Sequence, residues 1–445
     1  MKMRVASAPA RPISAVEAAR FVQSGMWLEY GTSVCQPDVF DRALAARVHE
    51  LHNVKFRSCL SVHPRAVLEA DPGAEHILCI SLHYSGYDRR KSDCGSCVYL
   101  PVNLGEIPDY YRRFIPPIDI VILKTCPIDA DGFFNFSVTN MWHRASIERA
   151  RMVIVETSSA LPYALGNGTG IHISEVDYII EGDNAPAPEL PNPPPCDTDR
   201  AVAHMIAAEI RDGACLQIGI GTMQNAVCAL LMESGARDLG VHTEMLTDGI
   251  IDLYRAGFIN GARKNIDPGK IVYSFALGSD YLYKAIDRNP DFMSAPVDYT
   301  NLPHIIMRND NVVAINNTTQ IDLQGQAASE SDGHRQISGT GGQAQFVRGA
   351  YASRGGKSII CLSSIYEKHG ERRSRIVLDL TQGNTVTTTR ADMMYVVTEY
   401  GMVNLKGKSV PERAQALIGI AHPEFREELE RQAFACRLIP RGFTF

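Results

Sequence analysis

Between residues 197 and 243 the apolar positions change their period several times. Val202, Met205, Ile206 and Ile210 recur at three- and four-residue intervals, the spacing of one helix face. Asp197 or Thr198 can cap that helix, and Gly213 ends it. Ala214 to Ile218 is then a short, mostly apolar run, predicted to be a buried strand. From Thr222 to Ser234 the helical spacing returns, with Ala226, Val227, Leu230 and Leu231 on one face and Gly235 as the stop. Leu239 to Thr243 reads as a second strand directly before Glu244. Strand, helix and strand make a βαβ unit, whose right-handed crossover leaves the two strands parallel. The Gly219-Ile-Gly221 loop and Glu244 therefore share one carboxyl edge, where open α/β sheets bind ligands.

The earlier half carries similar strand-like runs, Ile118–Lys124 and Met152–Glu156, separated by segments long enough for crossover helices. Between the halves, Asn184 to Pro195 holds six prolines in twelve residues. Such a stretch continues neither a helix nor a central strand and favours an extended connector. The expected fold is α/β, with two tandem open domains and mostly parallel sheets: residues 1–185, a linker at 186–197, and residues 198–445.

Composition removes several function classes. The chain of 445 residues is 45% hydrophobic and 21% charged, ordinary for a folded soluble protein. A formal net charge of −6 speaks against broad nucleic-acid binding. The eleven cysteines are odd in number and sit mostly in apolar runs, a usage that suits a reducing compartment. Cys94-Gly-Ser-Cys97 has redox or zinc spacing but no second pair to complete it. Met1 to Arg20 lacks the apolar core of a secretory signal, and no run approaches the ~18 apolar residues of a membrane span. A cytoplasmic location and no membrane partner are expected, and histidines and carboxylates show no metal-ligand spacing.

Two glycine-rich loops and one carboxylate are the candidates for chemistry. Gly219-Ile220-Gly221-Thr222-Met223 joins a strand to a helix, so its N–H groups suit a phosphate or a developing oxyanion; a plain tight turn is the alternative. The same loop nearly forms a dinucleotide fingerprint, with Glu244 about twenty residues on, but Gln224 stands where a third glycine is needed. Ser338-Gly-Thr-Gly-Gly-Gln343 has the backbone freedom for close approach to a ligand, or is a mobile surface loop. Glu244 is either an ion-pair partner or a nucleophile, and His242 is read as a core histidine. The run Arg89-Arg90-Lys91, beside Tyr84 and Tyr87, is either a solvated loop or a cradle for a second substrate carboxylate.

At these residues the sequence resembles the acetyl-CoA hydrolase/transferase family, in its butyrate, acetate and 4-hydroxybutyrate CoA-transferase branch. The segments that carry the resemblance are GIGTMQNAV (219–227), VHTEMLTDG (241–249), FALGS (275–279), NLP (301–303), AINNTTQIDLQGQ (314–326), SGTGGQAQFVRGA (338–350) and SRIV (374–377). They continue in VVTEYGMVNLKGKSVPERAQALIGIAHPEFR (396–426) and, more loosely, in CPIDADGFFNFS (126–137) and HISEVD (172–177).

The resemblance implies a CoA-transferase-like fold and Glu244 as a nucleophile that forms a glutamyl-CoA thioester in ping-pong exchange. It implies CoA and oxyanion contacts from Gly219, Ile220, Gly221, Thr222 and Met223, and a CoA site lined by Gly339, Gly341 and Gly342. Asn316 and Lys368 match positions near CoA. Coenzyme A is implied as a co-substrate, with no permanently bound cofactor, and the chain as a homo-oligomer whose first domain shapes the acid pocket. Substrates are acetate, butyrate or 4-hydroxybutyrate, or succinate or itaconate if the basic run faces the pocket. An acyl-CoA hydrolase on the same fold is the nearest alternative, and a nicotinamide enzyme a remote one. Two positions depart from the family: Gln345 stands where aspartate is usual, and Met223-Gln224 where the first loop commonly has proline.

Overall fold

The computed structural model describes residues 6, 8–191, 193–368 and 370–442; Met1 to Val5 and Ser7 of the N-terminus, and Asn192 of the proline run, lie outside them. Two eight-stranded sheets dominate. In the first, the strands lie in the order Arg11–Pro12, Tyr178–Glu181, Ala150–Thr157, Ile118–Thr125, Trp27–Thr32, Val54–Cys59, Ile77–Ser81, Cys97–Tyr99. Every neighbouring pair is parallel. The second runs Phe292–Ser294, Ile271–Tyr273, Gly240–His242, Cys215–Ile218, Val312–Asn317, Lys357–Cys361, Tyr395–Thr398, Gly401–Asn404. Only its last pair is antiparallel. Strands buried on both faces need apolar residues in succession, which is why Ile118–Thr125 and Ala150–Thr157 read as continuous runs rather than alternating ones.

The βαβ unit forms as its periodicity predicts. Helix Asp197–Ala208 precedes strand Cys215–Ile218; helix Thr222–Ser234 ends at Gly235, whose φ of 82° is the left-handed stop that glycine supplies. Strand Gly240–His242 then pairs in parallel with the first strand, Cys215 opposite Gly240. One detail differs from the sequence reading. The N-cap of the first helix is Cys196, not Asp197 or Thr198, and the Asp199 carboxylate accepts the Cys196 N–H at 3.1 Å.

The strand order places the ligand edge. In the second sheet the chain runs outward in one direction from Cys215–Ile218 through Gly240–His242, and in the other through Val312–Asn317. The crevice between Cys215–Ile218 and Val312–Asn317 is thus the topological switch point, with Gly219–Met223 and Asn316 at its mouth.

The proline run is extended, yet it is strapped down rather than free. Leu190 N–H donates to Gly278 O at 3.0 Å, and Tyr283 Oη donates to Pro188 O at 2.7 Å. The largest apolar cluster continues from Leu123, Phe136 and Trp142 of the first half to Val241, Phe275 and Phe292 of the second. Among the described residues no helix is long and apolar enough to cross a membrane.

Candidate active site

Glu244 owes its position to an interruption in two neighbouring strands. The ladder of Gly240–His242 with Ile271–Tyr273 stops after His242, and a short parallel pairing resumes at Met245 opposite Phe275. In the gap the Glu244 carbonyl accepts two N–H groups, from Ser274 at 2.9 Å and Phe275 at 3.1 Å. The first half of the chain backs this bend: Asn140 N–H donates to Ser274 O at 3.0 Å, and Ala276 N–H to Val138 O at 2.8 Å. A residue at such a bend leaves the alternation of the strand, and its side chain turns off the sheet edge.

Two groups hold the carboxylate. Asn301 Nδ2 donates to Glu244 Oε2, and the Gly342 backbone N–H is a second donor to the carboxylate. A Cβ at Gly342 would lie 2.2 Å from Oε2, so only glycine permits this approach. The second glycine loop is therefore an ordered wall of the site. Thr340 N–H donates to Tyr99 Oη at 2.9 Å, and Leu104 N–H donates to Gly341 O at 3.0 Å. Below the loop, Glu330 is 3% exposed and accepts the hydroxyls of Thr340 at 3.1 Å and Thr387 at 2.9 Å. His83, at the end of strand Ile77–Ser81, packs so closely that a Cβ on Gly339 would meet its Nδ1 at 2.8 Å.

Glu244 is half-buried, and among the described residues no cation pairs with it. Burial pushes its carboxyl up to about 7, against the opposing pull of the Asn301 and Gly342 donors. Its negative charge is felt at Cys59, the last residue of strand Val54–Cys59, so the carboxylate faces the carboxyl edge of the first sheet. His83 offers no compensating charge, because burial lowers its imidazole to about 4 and keeps it neutral. A carboxylate of raised basicity, with the Asn301 amide on Oε2, is suited to nucleophilic attack through the other oxygen. With Glu244 as nucleophile only the ionised form would attack, so kcat/KM for the acyl donor should fall about tenfold per pH unit below about 7 and level off above it. A flat profile from pH 5 to 8 would contradict the assignment.

The predicted residues separate into groups. Glu244, Gly339, Gly341 and Gly342 come together. Gly219–Met223 and Asn316 gather one strand away at the switch point: Gly219 N–H donates to Ile315 O at 3.0 Å, and Asn316 exchanges amide hydrogen bonds with Gln217. Helix Thr222–Ser234 starts right after Gly221, whose φ of 136° turns the chain, so the Thr222 and Met223 N–H groups open at that edge. Gln224, in the place of a third glycine, is buried and accepts from Asn317 Nδ2 at 3.1 Å. Lys368 is apart from both groups; it stands exposed on the hairpin Ile365–Lys368/Glu371–Ser374, 3.7 Å from Asp332.

The basic run lies on a helix, Gly86–Asp93, capped by Ser85 with Asp88 in reciprocal hydrogen bonds. Lys91 pairs with Glu69 at 2.9 Å, Arg90 is exposed near the Tyr87 ring, and the Arg89 Nε is buried with no hydrogen-bond partner among the described residues, since the neighbouring Asp93 pairs with Arg335. Cys94 is exposed and Cys97 buried, both as free thiols. Gln345 receives Gly105 N–H at 2.9 Å across the two halves, a task its amide oxygen performs without a charge. His242 is a buried core histidine, neutral with its imidazole lowered to about 3 by burial. Asn301 was not given a role by sequence reasoning, although its NLP segment (301–303) is among those that carry the family resemblance.

Comparison with known proteins shows the family to which the chain belongs. Residues 5–191 match the acetyl-CoA hydrolase/transferase N-terminal domain, and residues 278–433 its C-terminal domain. A butyryl-CoA:acetate CoA-transferase of Anaerostipes caccae is 46% identical, with 96% of this chain and 97% of that protein covered. The crystal structure of RipA from Yersinia pestis superposes with a TM-score of 0.87 at 36% identity, over 96% of this chain and 98% of that one. A 4-hydroxybutyrate CoA-transferase from Porphyromonas gingivalis gives 0.77 at 32% identity over the same shares. With both halves matched and the likeness running nearly end to end, the chain belongs to the acetyl-CoA hydrolase/transferase family.

Proposed function

We propose that this enzyme transfers CoA from an acyl-CoA to a free carboxylic acid through a covalent thioester on Glu244. The observation that carries the proposal is the half-buried carboxylate itself, raised to about 7, with Asn301 on Oε2 and, among the described residues, no cation paired with it. Oε1 of Glu244 attacks the acyl carbonyl and expels the CoA thiolate, giving a mixed anhydride. The thiolate then attacks Cδ of the glutamyl group, and the bond from Cδ to Oε1 breaks. The donor acid leaves with Oε1, and Cδ keeps Oε2 as the carbonyl oxygen of the glutamyl thioester. An incoming carboxylate reverses both steps. In each attack at Cδ the oxyanion develops on Oε2, where the Asn301 amide already points, with the Gly342 backbone beside the same carboxylate.

The first glycine loop, Gly219 to Met223, is assigned to CoA together with Asn316, on the strength of its place at the switch point. Gly339, Gly341 and Lys368 are assigned to the same ligand from the family resemblance. The acceptors are short monocarboxylates of the acetate, butyrate and 4-hydroxybutyrate kind, after the names of the relatives. In the basic run Lys91 pairs with Glu69 and Arg90 lies by the Tyr87 ring, while the Arg89 Nε is buried with no hydrogen-bond partner among the described residues, so a second substrate carboxylate, as in succinate or itaconate, has at most Arg89 to meet there.

Incubation with butyryl-CoA and no acceptor, followed by borohydride, should leave a reduced adduct on the peptide containing Glu244. Adding acetate before borohydride should discharge it, and double-reciprocal plots should be parallel. Turnover with Glu244 unmodified would refute the thioester. An intermediate that discharges equally fast without acetate would make the enzyme a hydrolase.

A further inference from the structure

Asn301 is useful to Glu244 in only one orientation. With the NH2 group forward it donates to Oε2; flipped by half a turn, its own oxygen would oppose the carboxylate, two acceptors face to face. The amide is not fixed by Glu244 alone. Thr300 Oγ1 donates to Asn301 Oδ1 at 2.8 Å, which occupies the amide oxygen and leaves the nitrogen for the carboxylate. Thr300 and Asn301 are both fully buried, so water does not compete for this bond. Thr300 is anchored in turn by the strand that leads to Glu244, because the neutral His242 ring donates from Nε2 to Thr300 O at 2.9 Å. The other side of Asn301 is closed as well: a Cβ on Gly105 would lie 2.8 Å from Asn301 Cβ.

We propose that Thr300 is a positioning residue: its hydroxyl sets the face that the Asn301 amide turns to Glu244, and so which carboxylate oxygen is left free to attack. This rests on Glu244 as the nucleophile. Thr300 touches no substrate atom; it acts through Asn301. The hydroxyl is the only part of the side chain the proposal needs, which separates it from a packing role for the threonine methyl.

The informative comparison is Thr300→Ser with Thr300→Ala, which differ by that hydroxyl alone, with Thr300→Val as the isosteric control. Thr300→Ser should keep kcat within about threefold of wild type, while Thr300→Ala and Thr300→Val lose between ~10- and ~100-fold, with KM for butyryl-CoA little changed. The acid limb of kcat/KM should also move to higher pH in Ala and Val. The Asn301 donor holds the Glu244 pKa down, and a misdirected amide releases it upward. A packing defect lowers activity without moving that limb. Equal kcat in Ser and Ala, or an unmoved limb, overturns the proposal, and the Ser and Ala pair decides it even where Val does not fold. Borohydride trapping in wild type separates the two levels. An adduct on Glu244 that forms equally fast in Ser and Ala defeats only the Thr300 assignment, whereas no adduct in wild type defeats the nucleophile and Thr300 with it.

Discussion

Glu244→Asp should lose at least about 100-fold in kcat, and Glu244→Gln should leave no measurable transfer. The aspartate variant keeps the charge but withdraws the carboxylate by one methylene, and a misplacement of ~1 Å at a reacting centre is worth about that factor. In this site the retreat has a specific meaning. Oε2 is seated between the Asn301 amide and Gly342, and a shorter side chain either leaves that seat or drags Oε1 away from the acyl carbon. The glutamine variant cannot attack at all, and it separates catalysis from stability. A group whose pKa is raised by folding, here to about 7 from 4.5, stabilises the fold below the unfolded value. That contribution is lost as pH rises through about 7, where the buried carboxylate ionises without a counter-charge. Glu244→Gln should therefore melt at or above the wild-type temperature at pH 8 while being inactive. A Gln variant that melts well below wild type, or an Asp variant near normal turnover, would mark Glu244 as a structural carboxylate.

What the sequence discloses about this site follows from how local each feature is. The βαβ unit from 197 to 243 is legible because a change of period in the apolar positions is written in consecutive residues, and Gly235 sits where a left-handed stop is required. The same locality explains two misreadings. The cap at Cys196 is hidden because cysteine is not a usual capping residue, although Asp199 three positions on is the reciprocal half of a capping box. The basic run Arg89-Arg90-Lys91 looks like a charged loop, yet Ser85 and Asp88 carry the same spacing and start a helix there. The partners of Glu244 are of another kind. Asn301 ends the short helix Val297–Thr300 and Gly342 begins the helix Gln343–Ala352. His83 and Val138–Asn140 come from the other half of the chain. No periodicity relates them, because they meet only when two sheets are brought edge to edge.

Gly342→Ala should cost catalysis at least ~100-fold while leaving the melting temperature close to wild type. Gly342 has φ −98° and ψ 1°, a backbone conformation that alanine adopts without a left-handed penalty. Its neighbour Gly341, at φ 58°, is the residue the loop needs for its turn, and alanine there strains the backbone itself. At Gly342 the difficulty is confined to what the new methyl meets: Glu244 Oε2 at 2.2 Å and Asn301 Nδ2 at 2.4 Å. Those are the two groups whose mutual placement defines the proposed nucleophile, and both are polar groups outside the apolar clusters, although Asn301 is itself fully buried. To admit the methyl, the carboxylate and the amide must move apart by about 1 Å or more, which breaks the Asn301 bond and turns Oε2 out of its seat. The loss should appear in kcat for every acyl donor alike, since the acyl group is not what the methyl touches. Gly341→Ala should show the converse, a lower melting temperature with a smaller loss of kcat per folded molecule. Measuring kcat/KM for acetyl-CoA and butyryl-CoA with thermal melts on both variants decides the point. A Gly342→Ala enzyme with wild-type kcat would mean that the glycine loop and Glu244 do not meet during turnover, and that the seat of Oε2 lies elsewhere.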